Sequence, residues 1–135
     1  MTGRLAEHWD VVGGFASQRA TIVNATTAAP AGAAVPLVPH VTASLWNKVE
    51  LSPTLGAGLG VVRQGAMFAA IDNSVTLPAF TRADGAVFLT LPANLKAQLN
   101  LENVFGTRYY ATAQGNNNIL PGAGRTVRFS VAAGW

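Results

Sequence analysis

Thr126-Val127-Arg128-Phe129-Ser130-Val131-Ala132-Ala133-Gly134-Trp135 closes the chain and alternates without a break. Successive side chains of an extended strand point to opposite faces. Val127, Phe129, Val131, Ala133 and Trp135 therefore share one face, while Thr126, Arg128, Ser130, Ala132 and Gly134 share the other. A helix would scatter both sets around its circumference, so the period of two predicts a strand with one apolar and one small or polar face. Leu95–Glu102 repeats the pattern, with Leu95, Ala97, Leu99 and Leu101 against Lys96, Gln98, Asn100 and Glu102. Residues 40–51 keep it with one fault: Val41, Ala43, Leu45, Val49 and Leu51 are interrupted by Asn47 and opposed by Thr42, Ser44, Trp46, Lys48 and Glu50.

Three further strands are predicted over residues 9–22, 55–64 and 82–91. The first sets Trp9, Val11 and Phe15 against Asp10, Ala16 and Gln18. The second is diluted by Gly56, Gly58 and Gly60, and the third carries Phe88 on its mixed face. The connections alternate between short and long. Ser52-Pro53-Thr54 and Pro92-Ala93-Asn94 read as tight turns, Pro suiting a position with fixed φ and no ladder donor. Residues 23–39, 66–81 and 103–124 are long, polar or rich in Pro and Gly.

A soluble sandwich has no reason to gather its long connections at one end. A transmembrane barrel does, because one rim is crossed by minimal turns and the other carries long loops. About 9 to 11 residues of tilted strand cross the hydrocarbon, and residues 125–135 supply that length. The fold class expected is all-β: about six antiparallel up-and-down strands forming part of a transmembrane β-barrel, open when isolated, with the apolar face on lipid and the polar face on the lumen.

Composition narrows the alternatives. The 135 residues are 50% hydrophobic and 11% charged, which excludes disorder as the main state, and they include no Cys, which excludes disulfides, thiolate metal sites and a cysteine nucleophile. No run reaches the roughly 18 apolar residues of a membrane helix. Arg4, Glu7 and Asp10 deny the amino terminus the apolar centre of a signal peptide. Seven Arg and two Lys stand singly, so there is no basic stripe and no nucleic-acid partner is expected.

Two stretches carry a resemblance. Leu99-Asn100-Leu101-Glu102-Asn103-Val104-Phe105-Gly106-Thr107-Arg108-Tyr109-Tyr110, with Gly115-Asn116-Asn117-Asn118-Ile119-Leu120-Pro121-Gly122-Ala123-Gly124-Arg125-Thr126-Val127-Arg128 and the closing Trp135, resembles the carboxy-terminal part of TonB-dependent outer-membrane receptors of the ferric-siderophore type. Residues 35–40, 45–48 and 75–84 look like the preceding hairpins of the same family. Gly106 stands where the family usually has Asp, Gly124 where Pro is common, and Trp135 where Phe usually ends the chain.

The resemblance implies a plugged 22-stranded barrel in the Gram-negative outer membrane. Its implied cargo is a ferric siderophore, and its implied partners are lipid, the remaining strands and plug, the barrel assembly machinery and, through an amino-terminal segment, the TonB complex. On that expectation residues 1–135 are a barrel segment without plug or signal peptide. The alternative is a stand-alone small β-sheet or barrel module. Neither reading calls for catalysis, a resident cofactor or a metal.

Arg108, Tyr109, Tyr110 and Asn117 are candidate ligand contacts on an outer loop, through charge and stacking; girdle or loop packing is the competing role. Trp135 and Phe129 are candidates for interface anchoring, and the resemblance implies that the terminal aromatic strand is an assembly signal. His8 and His40 lack partners at metal-ligand spacing. Asp84 and Glu102 are expected as solvated lumen charges rather than an acid–base pair, no serine has a Gly-x-Ser-x-Gly context, and Gly56–Gly60 is expected to ease curvature or close packing rather than hold phosphate.

Overall fold

The computed structural model describes residues 1–134; Trp135 lies outside the described residues. Its strands are β1 (Thr2–Ala6), β2 (Trp9–Ser17), β3 (Val41–Ser52), β4 (Leu55–Gln64), β5 (Met67–Phe68), β6 (Thr76–Leu77), β7 (Phe80–Leu91), β8 (Leu95–Glu102), β9 (Tyr110–Ala113), β10 (Ile119–Pro121) and β11 (Thr126–Ala133). Seven of them form one sheet in the order β1-β2-β3-β4-β7-β8-β11. Every pairing in it is antiparallel, which makes an open up-and-down meander with β1 and β11 as free edges. Two small ribbons, β5 with β6 and β9 with β10, lie in the long connections.

The sheet has one strand more than the six expected. Thr2–Ala6 is too short for its alternation to stand out, and its register is set by the cross-strand pairs Thr2–Val12, Gly3–Val11 and Arg4–Asp10. β2 stops at Ser17 rather than running to residue 22: the Gln18 N–H still donates to the facing His40 carbonyl at 2.9 Å, and the chain then departs into the first long connection. β7 begins two residues earlier than expected, at Phe80, opposite Gln64.

Short and long connections segregate as the alternation implies. Glu7-His8, Pro53-Thr54 and Pro92–Asn94 turn one end, and residues 18–40, 65–79 and 103–125 cross the other. Ala93 and Asn94 hold φ of 60° and 56°. Tight hairpins favour this left-handed region because it matches strand twist. Asn tolerates it, while Ala gives up about 1 kcal/mol.

Register turns the alternation into two chemically distinct surfaces. One cross-strand row reads Phe129, Leu99, Val87, Ala57, Val49, Trp9; the neighbouring row on the other face reads Arg128, Asn100, Ala86, Gly58, Lys48, Asp10. The exposed large hydrophobic residues of the sheet, Val12 excepted, lie on the first face. All five ion pairs among the described residues involve the second face or its turns: Arg4–Asp10, His8–Glu50, Lys48–Glu50, Arg82–Asp84 and Arg128–Glu102.

Both irregularities in the pattern have local causes. Asn47, the polar residue on the apolar face, accepts the indole N–H of its neighbour Trp9 at 3.3 Å. Trp46 and Phe88, aromatic on the polar face, fit because Gly58 and Gly60 leave room. A Cβ at Gly60 would overlap the Trp46 ring, and one at Gly58 would crowd both Trp46 and Phe88. Lys48 Nζ sits 5.3 Å from the Phe88 ring centre and completes the layer with a cation–π contact. The glycines thus serve close packing, as expected.

Among the sheet strands only small residues, Gly56, Gly60, Ala86 and Ala97, are buried. The packed core sits instead at the long-connection end. Met67, Ala69, Leu77 and Ala113 form it, with Val75 and Ile119 against them.

Candidate functional site

At the long-connection end, Asn103 leaves β8 with φ of 54°, a region Asn enters more readily than branched or bulky residues. It is 1% exposed. Its Nδ2 donates to the carbonyls of Thr107 at 2.9 Å and Ala123 at 3.1 Å, and its Oδ1 accepts the Thr107 N–H at 2.8 Å. Its own backbone N–H donates to Asp84 Oδ1 at 2.7 Å. One side chain therefore ties both ends of the third long connection to the sheet.

Asp84 extends the network. Its second oxygen accepts from Arg82 at 2.9 Å, and another Arg82 N–H donates to the Tyr109 hydroxyl at 3.1 Å. The Tyr109 ring stacks on Phe80 with centroids 4.2 Å apart, and Gly122 lies so close beneath it that a Cβ there would overlap the ring. Asp84 is thus a bonded acceptor with its side chain 14% exposed, not the solvated charge expected; burying it is tolerable because Arg82 and a backbone donor face it. Glu102 pairs with Arg128 at 3.2 Å. Among the described residues no group of three His, Asp or Glu side chains converges as a metal cage.

The three long connections are stitched in series. Asn73 accepts the Ala34 N–H at 2.8 Å and donates to the Ala34 carbonyl at 2.9 Å, while Leu37 N–H donates to the Phe68 carbonyl at 2.9 Å, joining first to second. Asn116 Nδ2 donates to both Asp72 oxygens, at 3.1 and 2.8 Å, and to Ser74 Oγ at 2.9 Å, joining second to third. The hydrogen bonds from Asn116 and Ser74 hold the Asp72 carboxyl below its ordinary value.

The candidate contact residues divide. Arg108, Tyr109 and Tyr110 line one open cleft of about 620 Å³, whose rim also includes Arg125. Arg108 and Tyr110 are exposed, whereas the Tyr109 ring and hydroxyl are engaged by Phe80, Gly122 and Arg82. Asn117 is exposed at the tip between β9 and β10 and does not line that cleft. Phe129 is 68% exposed on the apolar face. Trp135, the other anchoring candidate, is outside the described residues. Arg125, absent from the candidates, was signalled only by its place in the second motif.

No family model matches the chain. The catecholate siderophore receptor Fiu of Escherichia coli K12 is 32% identical over 117 residues, covering 83% of this chain and 15% of Fiu. The chain is homologous to part of the TonB-dependent siderophore receptors. The probable TonB-dependent receptor BfrD of Bordetella pertussis is 29% identical over 136 residues, covering 93% of this chain and 18% of BfrD. Among solved structures, the closed form of Fiu superposes over 96% of the chain and 19% of Fiu with a TM-score of 0.84 at 28% identity. The siderophore receptor PiuA of Acinetobacter baumannii superposes over 96% of the chain and 20% of PiuA with a TM-score of 0.85; at 21% identity it bears on the fold alone. The all-β open sheet matches a stretch of these receptors' barrels. The chain spans less than a fifth of the length of either curated relative described here.

Proposed function

We propose that this chain is a wall segment, from the carboxy-terminal part, of an outer-membrane receptor that takes up ferric siderophores. Its seven strands carry the barrel wall, and its three long connections contribute to the outer surface where the iron chelate is recognised. The observation that carries this reading is the sorting of the sheet residues: large exposed hydrophobic groups on one face, paired charges on the other. That is the inverse of a soluble barrel, whose interior is apolar, and it fits a wall between acyl chains and a wet lumen.

The free edges argue for incorporation into a larger closed structure. In hydrocarbon each edge strand would leave several backbone groups unpaired at several kcal/mol each, against net domain stabilities of about 5 to 15 kcal/mol. Other strands of a closed barrel, or a second chain, must therefore pair with those edges. Under the same reading a plug fills the lumen, the TonB complex acts on that plug, and the assembly machinery handles the terminal strand that carries Phe129. The cleft beside Arg108 and Tyr110 supplies positive charge and a ring surface suited to an anionic, aromatic-rich iron chelate, while Tyr109 acts by holding the cleft wall. The relatives are receptors, and nothing in this role requires bond-making by the protein.

The test replaces the corresponding segment of Fiu with this chain and measures uptake of a ferric catecholate. Uptake well above that of a receptor lacking the segment is expected, with loss on Arg108→Ala together with Tyr110→Ala. Correct insertion without uptake sinks the receptor assignment. A spin label at Leu99 should report acyl chains and one at Gln98 water; the reverse sinks the orientation.

A further inference from the structure

Arg63 is the one charged residue that the seven sheet strands place on the apolar face. Arg4, Asp10, Lys48, Glu50, Arg82, Asp84, Lys96, Glu102 and Arg128 all fall on the other by register. It stands at the long-connection end of β4, directly after the apolar run Leu55, Ala57, Leu59, Val61 of that face. Its Nη1 donates to Thr81 Oγ1 at 3.1 Å, and among the described residues it makes no ion pair.

A second feature of the same face lies beside it. Gly3 and Gly13 leave an apolar groove of about 340 Å³, walled by Leu5, Val11, Phe15 and Leu45. Phe15, Ala43 and Arg63 share one cross-strand row, so Phe15 and Arg63 stand about 10 Å apart, two strand spacings. Ala43, between them, raises only a methyl group, which leaves the way open from the guanidinium to the groove.

We infer that this corner binds a phosphate-bearing lipid, its phosphate on Arg63 and one acyl chain in the groove over Gly13 and Gly3. The inference rests on the reading that the apolar face meets the membrane. A guanidinium offers planar paired donors that match phosphate oxygens, and Thr81 orients it from one side. A second copy docked face to face would bring no carboxylate to Arg63, because every strand-borne Asp and Glu lies on the opposite face. A lipid supplies the missing anion and the hydrocarbon together.

The experiment uses the chain inside the complete chimaeric barrel described above, in phosphatidylcholine bilayers containing phosphatidic acid. Retained lipid is read by native mass spectrometry, and a spin label is placed through Leu99→Cys. The unsubstituted chain should retain phosphatidic acid in preference to phosphatidylcholine. Arg63→Gln should cut that preference about tenfold. Arg63→Lys should keep part of it, and Phe15→Ala should weaken retention of both lipids. Arg128→Gln, on the other face, should change nothing.

Full preference in Arg63→Gln, or an equal loss in Arg128→Gln, overturns the inference. So does displacement by excess inorganic phosphate, which would mark a simple anion site, or a dimer that excludes lipid. If the Leu99 label reports acyl chains while Arg63→Gln is silent, only the lipid site falls. If the label reports water, the orientation of the wall falls and the lipid site with it.

Discussion

Leu77 and Leu59 carry the same side chain into opposite surroundings. Leu77 is 2% exposed, packed with Met67, Ala69 and Ala113 where the long connections meet, while Leu59 is 58% exposed on the apolar face of β4. The first region is a small protein core with its own polar tie in Asn103; the second is one layer thick and has no protein over its apolar face. The loop end buries apolar side chains of its own, whereas the large side chains of the sheet's apolar face are exposed. The two regions should accordingly respond to different variables, packing in one and solvent in the other.

Asn103→Ala should be the most damaging change. It strands the carbonyls of Thr107 and Ala123 and frees the Thr107 N–H, for a loss of about 3 to 5 kcal/mol. Asn100→Ala, which removes a single side-chain bond with Gln98 at 2.7 Å, should lose about 1 kcal/mol or less. Urea unfolding of the assembled barrel in detergent measures both, and equal losses would erase the distinction between the regions.

Leu77→Ala should follow, at about 2 to 4 kcal/mol whether the protein is in detergent or bilayer, since its cavity lies in protein. Leu59→Ala should be close to neutral in detergent and register only as weaker partitioning into bilayers. A Leu77 effect that depends on the lipid would show that the loop cluster is not an independent core.

The smallest effect concerns Asp72. Its carboxyl titrates below the ordinary value of 3.8 because Asn116 and Ser74 donate to the charged form. The folded value is depressed, so the tie between second and third connections is complete above the unfolded value and is lost as pH falls through the folded one. Asn116→Ala should raise the Asp72 titration toward 3.8 with no change in the sheet, as carbon-detected NMR of Asp72 can follow. An unmoved titration would mean that Asn116 is not the tie.

What was legible in the sequence follows the same division. The sheet is made of near neighbours obeying a period of two, so Val127, Phe129, Leu99 and Gln98 declare their faces without knowledge of the rest. Even its faults were local in cause, though not visible as such: Asn47 answers Trp9 across one strand, and Trp46 answers Gly58 and Gly60 across the next. The loop end joins residues far apart in the chain. Asp84 meets Asn103 across 19 positions and Asn116 meets Asp72 across 44. No periodicity links such pairs, so Asp84 looked like a free lumen charge and Tyr109 like an open contact. β5 and β6, two residues each, fall below any repeat a sequence can display.

The meander has a further consequence. Each inner strand of the sheet is bonded to the sheet strand before it in the chain and to the sheet strand after it, with no crossover anywhere in the seven. Spatial order is therefore the order of synthesis, and the sheet grows by adding one hairpin to an existing edge, with no distant partner to await. The same property makes the hairpin a unit of evolutionary change. Ancestral duplication or loss of a whole up-and-down pair would widen or narrow such a wall while every remaining residue kept its face.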